Sequence, residues 1–342
     1  MDKPRLIFRG DHFRILQLTD LHLHSFDGRD EGVWPLLNNL LDWEVPDAVA
    51  FTGDIACNGR ERELLGALND LLERRSIPYL FTYGNHETDG GRGAELEEIL
   101  SEFPLCLYQK SAPGVPGFGN YRVPVYASED DDAPAWFLYS LDCNNDAIYN
   151  LAPGRDFSYY GYIRPEQIDW VRRVHARQGA PAVVFCHNPL REFNDVWMFD
   201  GVYGHRGEKV FAPLVNSGFF AALWETGDFR GYFCGHDHNN SYWGRMMGVV
   251  LAYGRNSGTN CRCTPGYRRG GRVIELTKNG ELTTRLRLGD GSIPEERFHP
   301  PLFDRVEFML SSPEDEYRNP APSRESRAEP VFFQENQSSV LV

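Results

Sequence analysis

Five short segments carry residue types able to bind metal ions or move protons: Asp20-Leu21-His22, Gly53-Asp54, Gly84-Asn85-His86-Glu87, Cys186-His187-Asn188-Pro189 and Gly235-His236-Asp237-His238. Together they offer carboxylates, an amide and several imidazoles. A mixed nitrogen and oxygen set suits Zn²⁺, Mn²⁺ or Fe, because Ca²⁺ and Mg²⁺ prefer all-oxygen shells. In Asp20-x-His22 and His236-x-His238, side chains two apart on an extended backbone point the same way, so each pair can face one site. Gly53, Gly84 and Gly235 stand where backbone must turn sharply or approach a ligand closely. Singly, each segment is commonplace. A D-x-H triplet arises by chance, a G-D is often a turn, and a G-N-H-E can open a helix. The information lies in the ordered set.

Each segment follows an apolar run that reads as a strand: residues 13–19, 47–52, 78–83, 181–186 and 229–234. Between them, Trp34, Leu37, Leu40 and Leu41 recur at helical spacing, as do Leu64, Leu65, Leu68, Leu71 and Leu72. Further helices read over 94–100 and over 165–177, the latter opened by Pro165. This β-α-β-α-β rhythm predicts a parallel sheet with covering helices. All five segments would then share the carboxyl edge, where binding sites of open α/β sheets form. Residues 136–141 read as another strand. Residues 110–132 read as a surface excursion and 144–162 as a long loop. Runs at 241–246, 248–252, 272–276 and 282–288 are short and turn-bounded, as in antiparallel pairs. Residues 1–290 are thus expected to form the domain that carries all five segments, and 291–342 a polar, proline-rich C-terminal extension.

The chain has 342 residues, with 35 Lys+Arg against 49 Asp+Glu, a formal charge of −14. That balance argues against a grip on long nucleic acid, which needs a basic surface. It does not exclude a small anionic substrate, since metal ions held by the mixed donor set would make one cleft locally positive. Charges interrupt the first residues too early for a secretory signal, and no window approaches the ~20 apolar residues of a membrane span. The seven cysteines are odd in number and scattered, as expected of reduced thiols in a cytoplasmic protein.

The ordered pattern D-x-H … G-D … G-N-H-[DE] … H … G-H-x-H resembles the calcineurin-like metallophosphoesterases over roughly residues 13–290. Val215-Asn216-Ser217-Gly218-Phe219-Phe220, then Glu225-Thr226-Gly227-Asp228, and Tyr160-Gly161-Tyr162-Ile163-Arg164-Pro165 with Gln167 and Trp170, resemble the group named for plant purple acid phosphatase 29 and the fungal dosage-dependent cell-cycle regulator. The resemblance implies an α/β (α+β) fold: a four-layer αββα sandwich of two mixed sheets flanked by helices. It implies two metal ions (Mn, Fe or Zn), the first held by Asp20, His22 and His238, the second by Asn85, His187 and His236, with Asp54 bridging both. The implied reaction is attack of a metal-bridging hydroxide on a phosphate monoester, with His86 assisting the leaving group. A phosphodiesterase acting on a cyclic nucleotide, nucleotide or phospholipid headgroup would use the same metals. A non-catalytic scaffold should show broken ligands, and here all seven are present with His86.

One departure stands out. Three residues beyond the bridging Asp, purple acid phosphatases place a colour-giving Tyr and protein Ser/Thr phosphatases an Asp that supports the catalytic His. Here the position is Cys57. A non-purple protein is expected, with support for His86 coming from elsewhere or absent. Further candidates for substrate binding are Asn85, His24, His205 and Arg206. Arg262, Arg268, Arg269 and Arg272 read as a solvated face. The implied partner is a small phosphate ester, and the motifs leave oligomeric state open.

Overall fold

Alternating apolar side chains on short strands build two stacked sheets. The computed structural model describes residues 3–310 except 27, 29, 57, 58 and 178. In chain order the strands are β1 (Leu6–Ile7), β2 (His12–Leu18), β3 (Ala48–Thr52), β4 (Tyr79–Thr82), β5 (Tyr121–Tyr126), β6 (Pro134–Ser140), β7 (Asp146–Ala152), β8 (Arg155–Tyr160), β9 (Ala182–Phe185), β10 (Val202–Tyr203), β11 (Phe229–Cys234), β12 (Trp243–Met246), β13 (Val249–Tyr253), β14 (Gly270–Thr277), β15 (Leu282–Leu288) and β16 (Phe298–His299). The helices are α1 (Val33–Glu44), α2 (Glu61–Glu73), α3 (Gly93–Glu102), α4 (Pro165–Ala176), α5 (Glu192–Phe199), α6 (Phe219–Thr226) and α7 (Arg305–Leu310).

One sheet runs β15-β14-β2-β3-β4 and the other β1-β5-β6-β9-β11-β13-β12-β10-β16, while β7 and β8 form a separate hairpin. Strands β2, β3 and β4 are mutually parallel, as are β6, β9, β11 and β13; antiparallel neighbours make both sheets mixed. On β6 the faces divide cleanly. Trp136 and Leu138 join a core with the smaller sheet and α1–α3, whereas Phe137 and Tyr139 join a second core with Trp170 of α4, Phe193 of α5 and Phe219 of α6. This period of two gives the helix–sheet–sheet–helix layering. Cross-sheet hydrogen bonds lock the layers: Gln17 Nε2 donates to Cys234 O (3.0 Å), and Tyr121 hydroxyl donates to Phe81 O (3.1 Å) while accepting from Phe81 N (2.9 Å).

Three sequence readings change. Strand β5 lies inside the stretch read as a surface excursion. Tyr121, Val123 and Val125 are buried in alternation, but the Gly- and Pro-rich approach and Pro124 within the strand hide it. The long loop contains the β7–β8 hairpin. Its strands pair with each other alone, and β8 is largely exposed, so neither carries a core stripe. Arg272 is not on a solvated face: it is fully buried, donating to Tyr253 O, to Ser241 O (2.8 Å) and to Glu296 (3.1 Å).

The first compact unit ends at Pro301, further along than residue 290, and Phe298–His299 pairs with β10 within it. The second unit begins at Leu302. Its described part holds α7, and residues 311–342 lie outside the described residues. Among the described residues no helix is long and apolar enough to cross a membrane.

The smaller sheet is pinned to α1 by charge. Glu44, 1% exposed, accepts from Arg285 (2.9 and 2.6 Å) and from Arg287 Nε. Burial alone would raise its carboxyl, but the two guanidiniums outweigh burial and hold it below the usual 4.5. Its stabilisation is therefore complete above that value and is lost as pH falls through the depressed one. Glu44→Gln is expected to cost about 1–3 kcal/mol near neutrality, discounted from the fully buried case because both arginines are partly solvated. The loss should shrink in acid. Thermal melts at matched pH values check this, and an equal loss at acid and neutral pH would contradict it.

Candidate metal centre and active site

The parallel strands deliver all five segments to one edge. Strand β2 ends beside Asp20, β3 beside Asp54, β4 beside Asn85, β9 beside His187 and β11 beside His236. The local backbone differs from the extended form that the D-x-H spacing suggests. Asp20 (φ 55°), His22 (φ 44°), Asp54 (φ 55°) and His236 (φ 73°) all occupy the left-handed region. Non-glycine residues rarely adopt it, at a cost of about 1–3 kcal/mol each, and they concentrate where function needs a turned side chain. Convergence here comes from tight turns, not from alternation. Gly53 (φ 85°) completes the turn before Asp54, and a Cβ there would fall onto the His187 ring.

Two groups of donors form around one buried carboxylate. In the first, His22 Nε2 lies 3.3 Å from His238 Nε2, and His238 Nε2 lies 3.6 Å from Asp20 Oδ1. In the second, His187 Nε2 lies 3.1 Å from Asn85 Oδ1 and 3.2 Å from His236 Nδ1. Asp54 Oδ2 stands between them, 3.6 Å from His22 Nε2 and 3.1 Å from His187 Nε2. The structure thus brings together Asp20, His22, Asp54, Asn85, His187, His236 and His238.

Burial and charge oppose each other here. Burial pushes the Asp20 carboxyl up, with Asp54 adding to it. Burial would raise Asp54 too, yet His187 and His22 hold it well below the usual range. Burial works against a charged His187, but Asp54 and Asp20 lift it to about 10. His236 is pushed well down by burial and by His187. Imidazole nitrogens 3.2–3.3 Å apart need a proton or a cation between them. The donor chemistry and these two close nitrogen pairs fit a metal pair of the kind expected from the mixed set.

Several supports escaped the sequence reading. Glu87, fully buried, accepts from Asp54 N (2.9 Å), Ile55 N (2.7 Å) and Gly84 N (2.7 Å), so one carboxylate joins the turns after β3 and β4. Burial and Asp54 push it up to about 7. Thr19 hydroxyl donates to Asp20 Oδ2 (2.8 Å), and His187 Nδ1 donates to Thr52 O (2.8 Å). That second bond fixes the tautomer that leaves Nε2 free to ligate. Asp237, between His236 and His238, turns inward to accept from Phe211 N and Asn240 Nδ2.

His86 lies at the rim. Its amide donates to Asp54 Oδ1 (3.0 Å), and its ring is close enough to His22 and Asp54 for one ion to touch all three. Its Nδ1 is 2.7 Å from Asp89 Oδ2, so orientation comes from the carboxylate three residues on. Burial would lower its pKa, but Asp54 and Asp89 raise it above the usual value. Cys57, where that support was sought, lies outside the described residues.

The other candidates sit elsewhere or at the margin. His24 follows His22 in a turn whose amides bond to Asp30. His205 O accepts from Ser241 N (2.8 Å), and burial, Arg255 and His299 lower the pKa of its ring. Arg206 lies over the Trp197 ring (5.2 Å) and reaches Asn194 (3.4 Å), packed against α5. Among the described residues, no hydrogen bond or ion pair joins His205 or Arg206 to the seven donors.

The sequence profile of the calcineurin-like phosphoesterases matches residues 13–240. The chain belongs to that family, whose enzymes are metal-dependent phosphoric ester hydrolases with a dinuclear centre. It is 28% identical over 310 residues to an Arabidopsis thaliana protein named probable inactive purple acid phosphatase 28, covering 79% of this chain and 77% of that one. It is 28% identical over 325 residues to Saccharomyces cerevisiae phosphatase DCR2, covering 84% of this chain and 53% of that longer protein. A solved dimetal phosphatase from Danio rerio shares the fold, with a TM-score of 0.56 at 15% identity over 84% of this chain and 98% of that one.

Glu87→Gln removes one of the two oxygens that collect three amides. Metal affinity is expected to fall about 10–100-fold with the fold retained. Isothermal titration with Mn²⁺ and far-ultraviolet circular dichroism test this together; unchanged affinity would remove Glu87 from the support of the site.

Proposed function

We propose that the chain is a dinuclear phosphatase that hydrolyses a small phosphate monoester, with Asp20, His22 and His238 holding one ion, Asn85, His187 and His236 the other, and Asp54 between them. The observation that carries this reading is the convergence of those seven donors on one strand edge with His86 oriented beside them. The word inactive belongs to the plant relatives' names, and in this chain every inferred ligand is present.

When bound, the two ions supply positive charge to the phosphoryl oxygens and acidify a water. The protein does the positioning. Asp54 sets the spacing of the two half-sites. The Thr52 carbonyl fixes the His187 ring, and Glu87 fixes the backbone that carries Asp54 and Gly84. His86 faces the substrate and donates a hydrogen bond to the departing oxygen, with Asp89 holding its other nitrogen. Local positive charge lets an acidic protein accept an anionic ester. Manganese, iron and zinc all suit the donors. The six described cysteines are free and five are buried, which supports a reducing, cytoplasmic setting. Catalysis is assigned to the unit ending at Pro301, with the proline-rich stretch as an extension.

With Mn²⁺ added, p-nitrophenyl phosphate should be cleaved faster than its bis ester. The reverse order would favour the phosphodiesterase, and no turnover of either by metal-loaded protein would favour a scaffold. Asp54→Ala should abolish binding of the second ion. His86→Ala should keep both ions yet lose about 10²–10⁴-fold in turnover, with Asp89→Asn losing less. A fully active His86→Ala protein would refute its role.

A further inference from the structure

The loop after β13 lies across the segment that carries Asp20 and His22. Ser257 N donates to Thr19 O (3.1 Å), and Asn260 Nδ2 donates to His22 O (2.7 Å). Gly258 permits the approach, since a Cβ there would overlap the carbonyls of Asp20 and Leu21. Asn256 organises the loop from within: its Oδ1 accepts from Gly258 N (3.0 Å) and lies 3.5 Å from the Cys261 sulfur. Arg269 closes it by donating to Cys261 O (3.0 Å) and reaching Cys263 Sγ (2.7 Å).

This frame aims a buried thiol at the first half of the site. Cys261 Sγ and the ring nitrogens of His22 and His238 all lie within 4.8 Å of one another. The thiol donates to Asp20 O (3.1 Å), the main-chain oxygen of a third donor residue in that half. Independently, the 3.3 Å contact of the two imidazole nitrogens and the 3.6 Å contact with Asp20 mark this spot as a cation position. None of the five motif segments contains Cys261.

We propose that Cys261 is a further ligand of the first metal position, joining Asp20, His22 and His238, and that it selects a thiophilic ion such as Zn²⁺ over Mn²⁺ there. The proposal rests on the dinuclear reading. Zn–S and Zn–N bonds of about 2.3 and 2.0–2.1 Å put sulfur and nitrogen roughly 3.1–3.6 Å apart in neighbouring positions of a shell that also holds Asp54, so the sulfur need travel only about 1–2 Å. On binding, the S–H bond breaks, its proton passes to water, the metal–sulfur bond forms, and Asp20 O loses one donor. No electrons change hands. A thiolate donor favours zinc or iron, whereas carboxylate and water favour manganese.

Loading the metal-free full chain with Co²⁺ tests this. Wild type should take up two ions per chain and gain a near-ultraviolet thiolate-to-cobalt charge-transfer band. Cys261→Ser should lose that band, keep the visible d–d bands, and lose about tenfold or more of the Zn²⁺-over-Mn²⁺ preference. Cys263→Ser should keep the band. Zinc-edge X-ray absorption of wild type should show a sulfur shell at about 2.3 Å, a measurement that decides the matter if Cys261→Ser does not fold. Two bound ions with no charge-transfer band, a band that survives Cys261→Ser, or no sulfur shell would overturn the proposal. Uptake of fewer than two ions would instead overturn the dinuclear reading, and this proposal with it.

Discussion

Everything at the site depends on keeping one buried carboxylate, Asp54, ionised between imidazoles that come from different strands. A charge in a protein interior is tolerated only when fixed partners face it. Asp54 has His187 on one side and His22 on the other, and its second oxygen takes the His86 amide. Each partner arrives on a different chain segment. The cost of mispositioning any of them falls on the same buried group, so the geometry of the strand ends is under joint constraint.

That constraint explains why two sheets are needed. The smaller sheet brings Asp20, Asp54 and Asn85 on three parallel strands, and the larger brings His187 and His236 on two. Hydrogen bonds across the sandwich align the sets: Gln17 to Cys234, and His187 to Thr52. Four left-handed ligand residues store strain at the edge. Hydrogen bonds across the sandwich and packing of the cores behind them keep those turns from relaxing.

The sequence revealed which residues meet better than how they meet. Strand ends were legible because β3 and β4 are continuous apolar runs and the polar residues follow at once. The pairing of Asp20 with His22 was foreseen, but from an extended backbone, whereas both residues turn through positive φ. Roles that depend on contacts between distant segments were hidden. Glu87 stands in the G-N-H-E segment, yet nothing local shows that it collects the amides of Asp54 and Ile55. Asp89 had a signal, an acid three residues after His86. Arg272 looked like one of a basic cluster and is a core residue, because the carbonyls that satisfy it belong to Tyr253 and Ser241. The β7–β8 hairpin left no stripe to read, since its strands answer to each other and not to the core.

Exposure across the site is graded, and the gradient sets the direction of approach. His187 is 0% exposed and Asp54 2%, whereas His22 is 13%, His238 27% and His86 44%. His187 and Asp54 therefore form a closed floor, whereas His238 and His86 open to solvent. A phosphate ester entering from that side would set its phosphoryl group towards Asp54 and leave its organic portion beside His86. On that reading His86, oriented by Asp89, would meet the departing oxygen where water can carry the product away, and the floor would need no opening for turnover. Burial of His187 and exposure of His86 are thus two parts of one arrangement: on the proposed function, the floor of the site would stay dry and the proton donor would stay within reach of solvent.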